Sequence, residues 1–237
     1  MNRRRLPDPA KRLRRMHDEL LHAYGRQHWW PAQTPFEVVV GAYLTQNTSW
    51  KAVEHSLNNL RASGSLSIGA LRSISTDSLQ ELIRPSGFQT RKAPALKAFI
   101  AMLDAQFNGS LATMAALPTD ALRRHLLTLP GVGMETANAI LLYALGHPVP
   151  VADEYLRRIV ERHRLVTPAP KRNKAGYQSL VQLTKDAFVH VDEGALRENY
   201  GEFHALTVAV GKAHCGKTPS CLGCPLAADL LKMHASN

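Results

Sequence analysis

No stretch of this chain approaches the roughly 18–20 consecutive apolar residues that a membrane helix needs, so hydropathy gives no grounds for a spanning segment. The N-terminal run RRRLPDPAKRLRR is basic but has no apolar stretch behind it. That argues against a secretory signal and for a solvated or DNA-grazing arm. Cysteine is scarce: Cys215, Cys221 and Cys224 are the whole supply, odd in number and crowded into one loop. This excludes a disulfide framework and points to a reducing compartment and a local metal or cluster site. Acidic residues are outnumbered, 19 against 29 Lys and Arg, which leaves a formal net charge of +10 and a pI of about 9.8. Such a surplus favours a polyanionic partner, nucleic acid first. It is spread along the chain at Lys92, Arg123, Arg124, Arg157, Arg158, Lys171 and Arg172. There is no internal repeat and no low-complexity segment.

What is present reads as helix almost throughout. MHDELLHAYG is a short amphipathic helix, followed by the Pro-broken loop QHWWPAQTPF with the adjacent pair Trp29 and Trp30. FEVVVGAYL is rich enough in Val to pass for a strand, but its length and the lack of a partner strand favour a core helix. The polar segment Thr45-Gln46-Asn47-Thr48 joins it to a second helix that begins near Trp50. Further helices follow around SIGALRS, DSLQELIR, KAPALKAFIAMLDAQF and DALRRHLLTL, with caps or breaks at Ser67, Thr76, Pro85 and Thr119. DEYLRRIVERH, AGYQSLVQLTKDAFVH and ALRENYGEFHALTVAVGKAH complete an all-α chain.

The stretch LPGVGMETANAILLYALGHPVPVADEYLRRI organises the rest. A helix ends at Leu129, a tight Pro130-Gly131-Val132-Gly133 turn follows, and a second helix places Ala137, Ile140, Leu141, Ala144 and Leu145 on one apolar face. Gly146 and the following prolines stop it, and the extended PVPVA delivers Asp153 to the start of a third helix. Gly131 and Gly133 lack a Cβ, so they can take backbone angles closed to other residues and admit another backbone closely. Free N–H groups at the next helix start, with the helix dipole behind them, then make a phosphate cradle from Gly131, Val132, Gly133 and Thr136.

The combination LPGVG-x-x-TA, an apolar helix and V-x-D closely resembles the helix–hairpin–helix, Gly/Pro-rich loop and aspartate of the endonuclease III superfamily of DNA glycosylases. WWPAQTPFEVVVGAYLTQNTSWKAVEHSLNNL and IRPSGFQTRKA are most similar to the 3-methyladenine DNA glycosylase III branch. The resemblance implies a two-lobed fold, with a helical barrel over 35–146 and a lobe built from 1–34 and 147–237. The DNA lesion would lie in the cleft between them. It also implies a monomer acting on double-stranded DNA that contains a damaged base, in the cytoplasm at the nucleoid.

On that resemblance Asp153 is the catalytic carboxylate, since breaking a base from deoxyribose builds positive charge on the sugar. A helix N-cap is the other role open to it, and the two are compatible. Enzymes of the superfamily that also cut the strand carry a lysine two residues after the second hairpin glycine; here Glu135 stands there, and a carboxylate cannot form the imine. The expectation is a monofunctional glycosylase that leaves an abasic site, with Glu135 either touching the flipped base or facing solvent. Gln46 occupies the position of the wedge that fills the gap left by an extruded nucleotide. Trp29, Trp30 and Trp50 are candidate pocket walls, where indole faces would favour a cationic methylated purine by ~0.5–2 kcal/mol each. One of Trp29 and Trp30 is expected to be packing. Lys212 either reaches the same cleft or contacts DNA at the surface.

CGKTPSCLGCPL resembles the loop in which four cysteines bind a [4Fe–4S] cluster, but Leu230 stands where the fourth belongs. Asp229 or His234 as a substitute ligand, a three-iron cluster, a zinc site completed by His214 or His234, and a loop that binds nothing all stay open. Two further functions stay open as well: an endonuclease III-like glycosylase and abasic-site lyase for oxidised or mismatched bases, and a helix–hairpin–helix protein that binds DNA without cutting.

Overall fold

A computed structural model of the chain describes residues 8–234, with side chains described through residue 230. The first seven residues of the basic N-terminal run lie outside that range. Among the described residues there are helices and turns and no strand, as the sequence pattern predicts. None of the helices is long and apolar enough to cross a membrane. The chain divides into two compact units: one is Trp30–His147, and the other joins the described residues up to Trp29 to those from Pro148 onward.

The Trp30–His147 unit holds α2 (Pro35–Leu44), α3 (Trp50–Ala62), α4 (Ile68–Ser73), α5 (Thr76–Ile83), α6 (Gln89–Phe107), α7 (Leu111–Ala115), α8 (Thr119–Leu127) and α9 (Met134–Ala139). α2 is buried from Phe36 to Leu44, which explains the Val-rich run: it is a core helix with no polar face. Thr34 starts it by accepting the Glu37 N–H at 3.1 Å, and Pro35 fits the first turn. Tyr43 of α2 meets Phe99 of α6 edge to face at 6.2 Å at the centre of this core. Caps at Ser67 and Ser75 begin α4 and α5; Thr76 and Thr119 are the first helical residues of α5 and α8 rather than their caps. After Ala139 the hairpin's second helix widens into a π turn over Ile140–Ala144, with the Leu145 N–H donating to Ile140 O at 3.0 Å. The predicted apolar stripe therefore continues with one extra residue, and Ala144 is only half-buried.

The other unit holds α1 (Pro9–Tyr24), α10 (Glu154–Arg162), α11 (Lys174–Ala187), α12 (Glu193–Ala213) and α13 (Ala227–His234). α1 packs on α11 and α12, and α10 packs on α12. Leu13, Met16, Leu20, Phe188 and Phe203 form its core, with His17 buried edge-on against Phe188 at 5.1 Å. The first helix begins well before MHDELLHAYG, because Asp8 accepts the Ala10 N–H at 2.9 Å and Pro9 takes the first position. From Pro9 onward the basic run is therefore helix and not a solvated arm. Arg12 is 3% exposed. Lys92 and Arg157, read from sequence as part of the spread charge, are buried too.

Candidate active site

The hairpin turn and the loop after α2 are tied together. The Gln46 side-chain amide donates to Gly131 O at 3.0 Å and to Thr136 Oγ1 at 3.1 Å. Gly131 has φ +74°, an angle that favours glycine. Gly133 does not need its freedom: it is extended (φ −93°, ψ −179°), and no atom lies within 4 Å of where a Cβ would stand. It keeps the surface beside the turn open. The Val132 N–H donates inward to Leu129 O at 3.2 Å, and the Val132 side chain is buried; Gly131, Gly133 and Glu135 are exposed and Thr136 half-buried.

A groove of about 470 Å³ runs along this face, lined by Gln46, Asn47, Phe88, Arg91, Lys92 and Gly131 among others. Lys92 anchors it, donating to Leu44 O and Ser86 O at 2.8 Å each, so that one ammonium holds the ends of two loops. Burial pushes the Lys92 amine down to about 8. Phe88 escapes the sequence reading. It is 54% exposed, an aromatic ring at a left-handed backbone position (φ +51°) that starts α6. A large apolar side chain held out on a strained loop is the signal that would find it, but RPSGF shows no such exposure on its own.

Asp153 ends the extended PVPVA segment, whose Val149, Val151 and Ala152 are buried. It caps α10, its Oδ1 accepting the Leu156 N–H at 2.9 Å. The side chain is itself buried, and its Oδ2 lies 3.8 Å from His204 Nε2 of α12. Burial pushes the carboxyl up, while the charge of His204 and the N–H groups of Leu156 and Tyr155 pull it down. Beside it Glu154 is held well below the usual carboxylate range by hydrogen bonds from Arg157 and Arg172.

Residues 40–183, which take in both the hairpin and Asp153, match the profile of the HhH-GPD superfamily base excision DNA repair protein. The chain belongs to that family. It is 41% identical over 209 residues to a protein of Methanocaldococcus jannaschii named as a DNA repair glycosylase, covering 87% of this chain and 90% of the relative. It is 29% identical over 218 residues to a thymine-DNA glycosylase of Aeropyrum pernix, covering 90% and 91%. Its structure superposes on the Helicobacter pylori 3-methyladenine DNA glycosylase bound to 1,N6-ethenoadenine with a TM-score of 0.72 and 27% identity, over 87% of this chain and 98% of that one.

In this HhH-GPD chain the three tryptophans fall in both units: Trp30 and Trp50 in one, Trp29 in the other. Trp30 packs on Gly41, where a Cβ would stand 3.2 Å from the ring. It meets Trp50 edge to face at 5.5 Å and Tyr143 at 5.4 Å. Trp29 belongs to the other unit, where Lys212 Nζ lies 5.8 Å from its ring centroid. Tyr143 is brought in by the π turn, and helical spacing in the sequence does not point to it.

The cluster implied by the resemblance does not fit the residues present. Cys215, Cys221, Cys224 and Leu230 line one cavity of about 140 Å³. A four-iron cubane takes four thiolates, and Leu230 offers an apolar side chain at the fourth place. Asp229 is not a substitute: its carboxylate is bound by Arg12 and His163. The Cys215 Sγ accepts from Arg162 Nη1 at 3.0 Å, and His214 Nδ1 pairs with Ser220 O at 3.0 Å. The side chain of His234 lies outside the described ones. Among the described residues no group of three or more His, Cys, Asp or Glu is placed to hold a metal ion.

Proposed function

We propose that this DNA glycosylase is monofunctional and hydrolyses the bond between deoxyribose and an alkylated purine of the 3-methyladenine type, leaving an abasic site. The observation that carries the reading is Asp153, a buried carboxylate at the end of an extended segment with one oxygen committed to the α10 cap and the other not. In the reaction the C1′–N bond breaks with its electron pair leaving on the base. Asp153 stabilises the positive charge that develops on the sugar and takes the proton of the water that forms the new C1′–O bond. The barrel, residues 35–146, grips DNA through the hairpin backbone, and the terminal lobe supplies Asp153. Gln46 fills the gap in the stack. Trp30, Trp50 and Tyr143 of one unit offer aromatic surface to a cationic base, and Trp29 is a candidate of the same kind in the other. Glu135, at the first turn of α9, has no amine, so no Schiff base forms there and the strand stays intact.

A second reading, removal of a mismatched thymine, is favoured by the Aeropyrum relative, which spans nearly all of both chains. One experiment separates the two: base release from DNA carrying 3-methyladenine and, in parallel, from a duplex with a thymine mismatch, comparing wild type with Asp153→Asn and scoring strand breaks before and after alkali. Purine release that needs Asp153, with breaks only after alkali, supports the proposal. Thymine release alone supports the second reading. Breaks without alkali that borohydride traps as a protein adduct overturn the monofunctional assignment, and tight binding without release of either base makes the chain a binder.

A further inference from the structure

We propose that His204 is a positioning residue for Asp153: its ring faces the carboxylate oxygen that the α10 cap leaves open and, when it carries a proton, favours the ionised carboxylate that hydrolysis requires. The inference rests on the reading of Asp153 given above. The two residues are far apart in sequence and meet because α10 lies closely along α12: Gly211 has no side chain, and the Tyr155 ring occupies the space its Cβ would need. Asp153 Oδ1 is turned into α10 toward the Leu156 N–H, while Oδ2 faces His204 Nε2 at 3.8 Å. Both side chains are buried, with exposures of 10% and 9%.

Burial disfavours the charged form of such a carboxyl, and a neutral acid neither stabilises an oxocarbenium ion nor accepts a proton from water. Burial leaves the Asp153 carboxyl raised and the His204 ring lowered, and the attraction between the two works against both shifts. Of the side chains acting on Asp153 among the described residues, His204 is the one that draws its carboxyl down. Glu154 acts in the same direction as burial, and its own charge is answered by Arg157, Arg158 and Arg172. Farther along α12, Lys212 stands over the Trp29 ring. The N–H groups of Leu156 and Tyr155 help the carboxylate but carry no titratable charge. His204 thus acts through Asp153 and not on the sugar.

The test is the pH profile of single-turnover base release for the full chain and for His204→Gln, which keeps a polar group of similar reach but cannot be charged. The acid limb should move up by about one pH unit or more, the size of effect an opposite charge has on a nearby carboxyl. The alkaline plateau should stay close to wild type, because Asp153 is ionised there with or without its partner. An equal fall at every pH, with the acid limb unmoved, assigns His204 to packing and overturns the proposal. If His204→Gln does not fold, His204→Asn serves in its place. Independently of activity, the carboxyl carbon of Asp153, followed by NMR in labelled protein, should titrate at higher pH in the variant; an unchanged midpoint overturns the proposal as well. Full activity in Asp153→Asn would instead remove the underlying reading, a result distinct from an Asp153-dependent enzyme whose acid limb ignores His204.

Discussion

Arg12 and Asp229, 217 positions apart, form a buried two-pronged ion pair, with Nε donating to Oδ1 at 3.1 Å and Nη2 to Oδ2 at 2.5 Å. His163 Nδ1 joins Asp229 Oδ2 at 2.9 Å, and Arg12 also donates to His163 O at 2.9 Å. α1, α10 and α13 are thereby fastened at one carboxylate. Removing one partner of such a group leaves buried charge uncompensated, so Asp229→Ala should lose about 3–5 kcal/mol of stability. Urea denaturation of the full chain reads this, and a loss under about 1 kcal/mol would mean that the fastening contributes little.

The same carboxyl gives a pH dependence. Burial by itself pushes Asp229 up, but hydrogen bonds from His163 and Arg12 outweigh it and hold it at about 2. Its folded value lies below the unfolded one of roughly 3.9. The stabilisation is therefore complete above about pH 4 and lost as pH falls through about 2. Urea midpoints taken from pH 5 down to pH 2 should decline more steeply in wild type than in Asp229→Asn.

The cysteine loop should keep its stability without metal. Arg162 reaches Gly216 O at 2.8 Å and Lys217 O at 2.9 Å besides Cys215 Sγ, so the loop is tied down by a guanidinium. Cys221 is exposed and makes no such tie. Cys221→Ser, or prolonged chelation of wild type, should leave Tm and base release unchanged, whereas Arg162→Ala should cost about 1–3 kcal/mol. A large fall in Tm on chelation would show that metal holds this loop after all.

Gln46 and Phe88 stand on the groove beside the hairpin, one an amide bonded to the turn and the other an exposed ring. If both enter the DNA stack when a base is extruded, each single Ala variant should weaken binding to lesion-containing duplex by roughly tenfold, part of the few kcal/mol that flipping costs. Binding to an already single-stranded lesion should change much less. Equal losses on both substrates would assign these residues to backbone contact instead.

Gly211→Ala is expected to be severe, because a Cβ there collides with the Tyr155 ring between α10 and α12. A shift of these helices disturbs Asp153 and His204 together, so Tm and base release should fall in parallel. Gly133→Ala meets no atom of the chain itself and takes no strained angle. It should fold normally and lose only DNA affinity.

The all-α fold and the helix–hairpin–helix were legible because apolar periodicity, glycine and proline placement, and the V-x-D register are all local signals. Local signals also misled: MHDELLHAYG begins a helix late because the basic residues ahead of it hide a buried Arg12, whose partner lies in α13. The short helices α7 and α13 span too few turns for a periodic pattern. Tyr143 reaches Trp30 through a π turn, which no helical spacing predicts. His204 gives no signal within ALRENYGEFHALTVAVGKAH, because its significance is a distance to Asp153 and a lone histidine in an apolar helix says nothing of what it faces.

One unit is an unbroken stretch of chain and the other is assembled from its two ends. During synthesis Trp30–His147 can fold once it has emerged, whereas α1, made earlier, waits for α11 and α12 before it has anything to pack against. Birth order thus runs against chain order. On the reading proposed above, a nascent chain of which only Trp30–His147 has emerged would carry a hairpin able to hold phosphate and no folded lobe to hold Asp153 in place. Competence to grip DNA precedes competence to release a base, and the second is withheld until α12 is made.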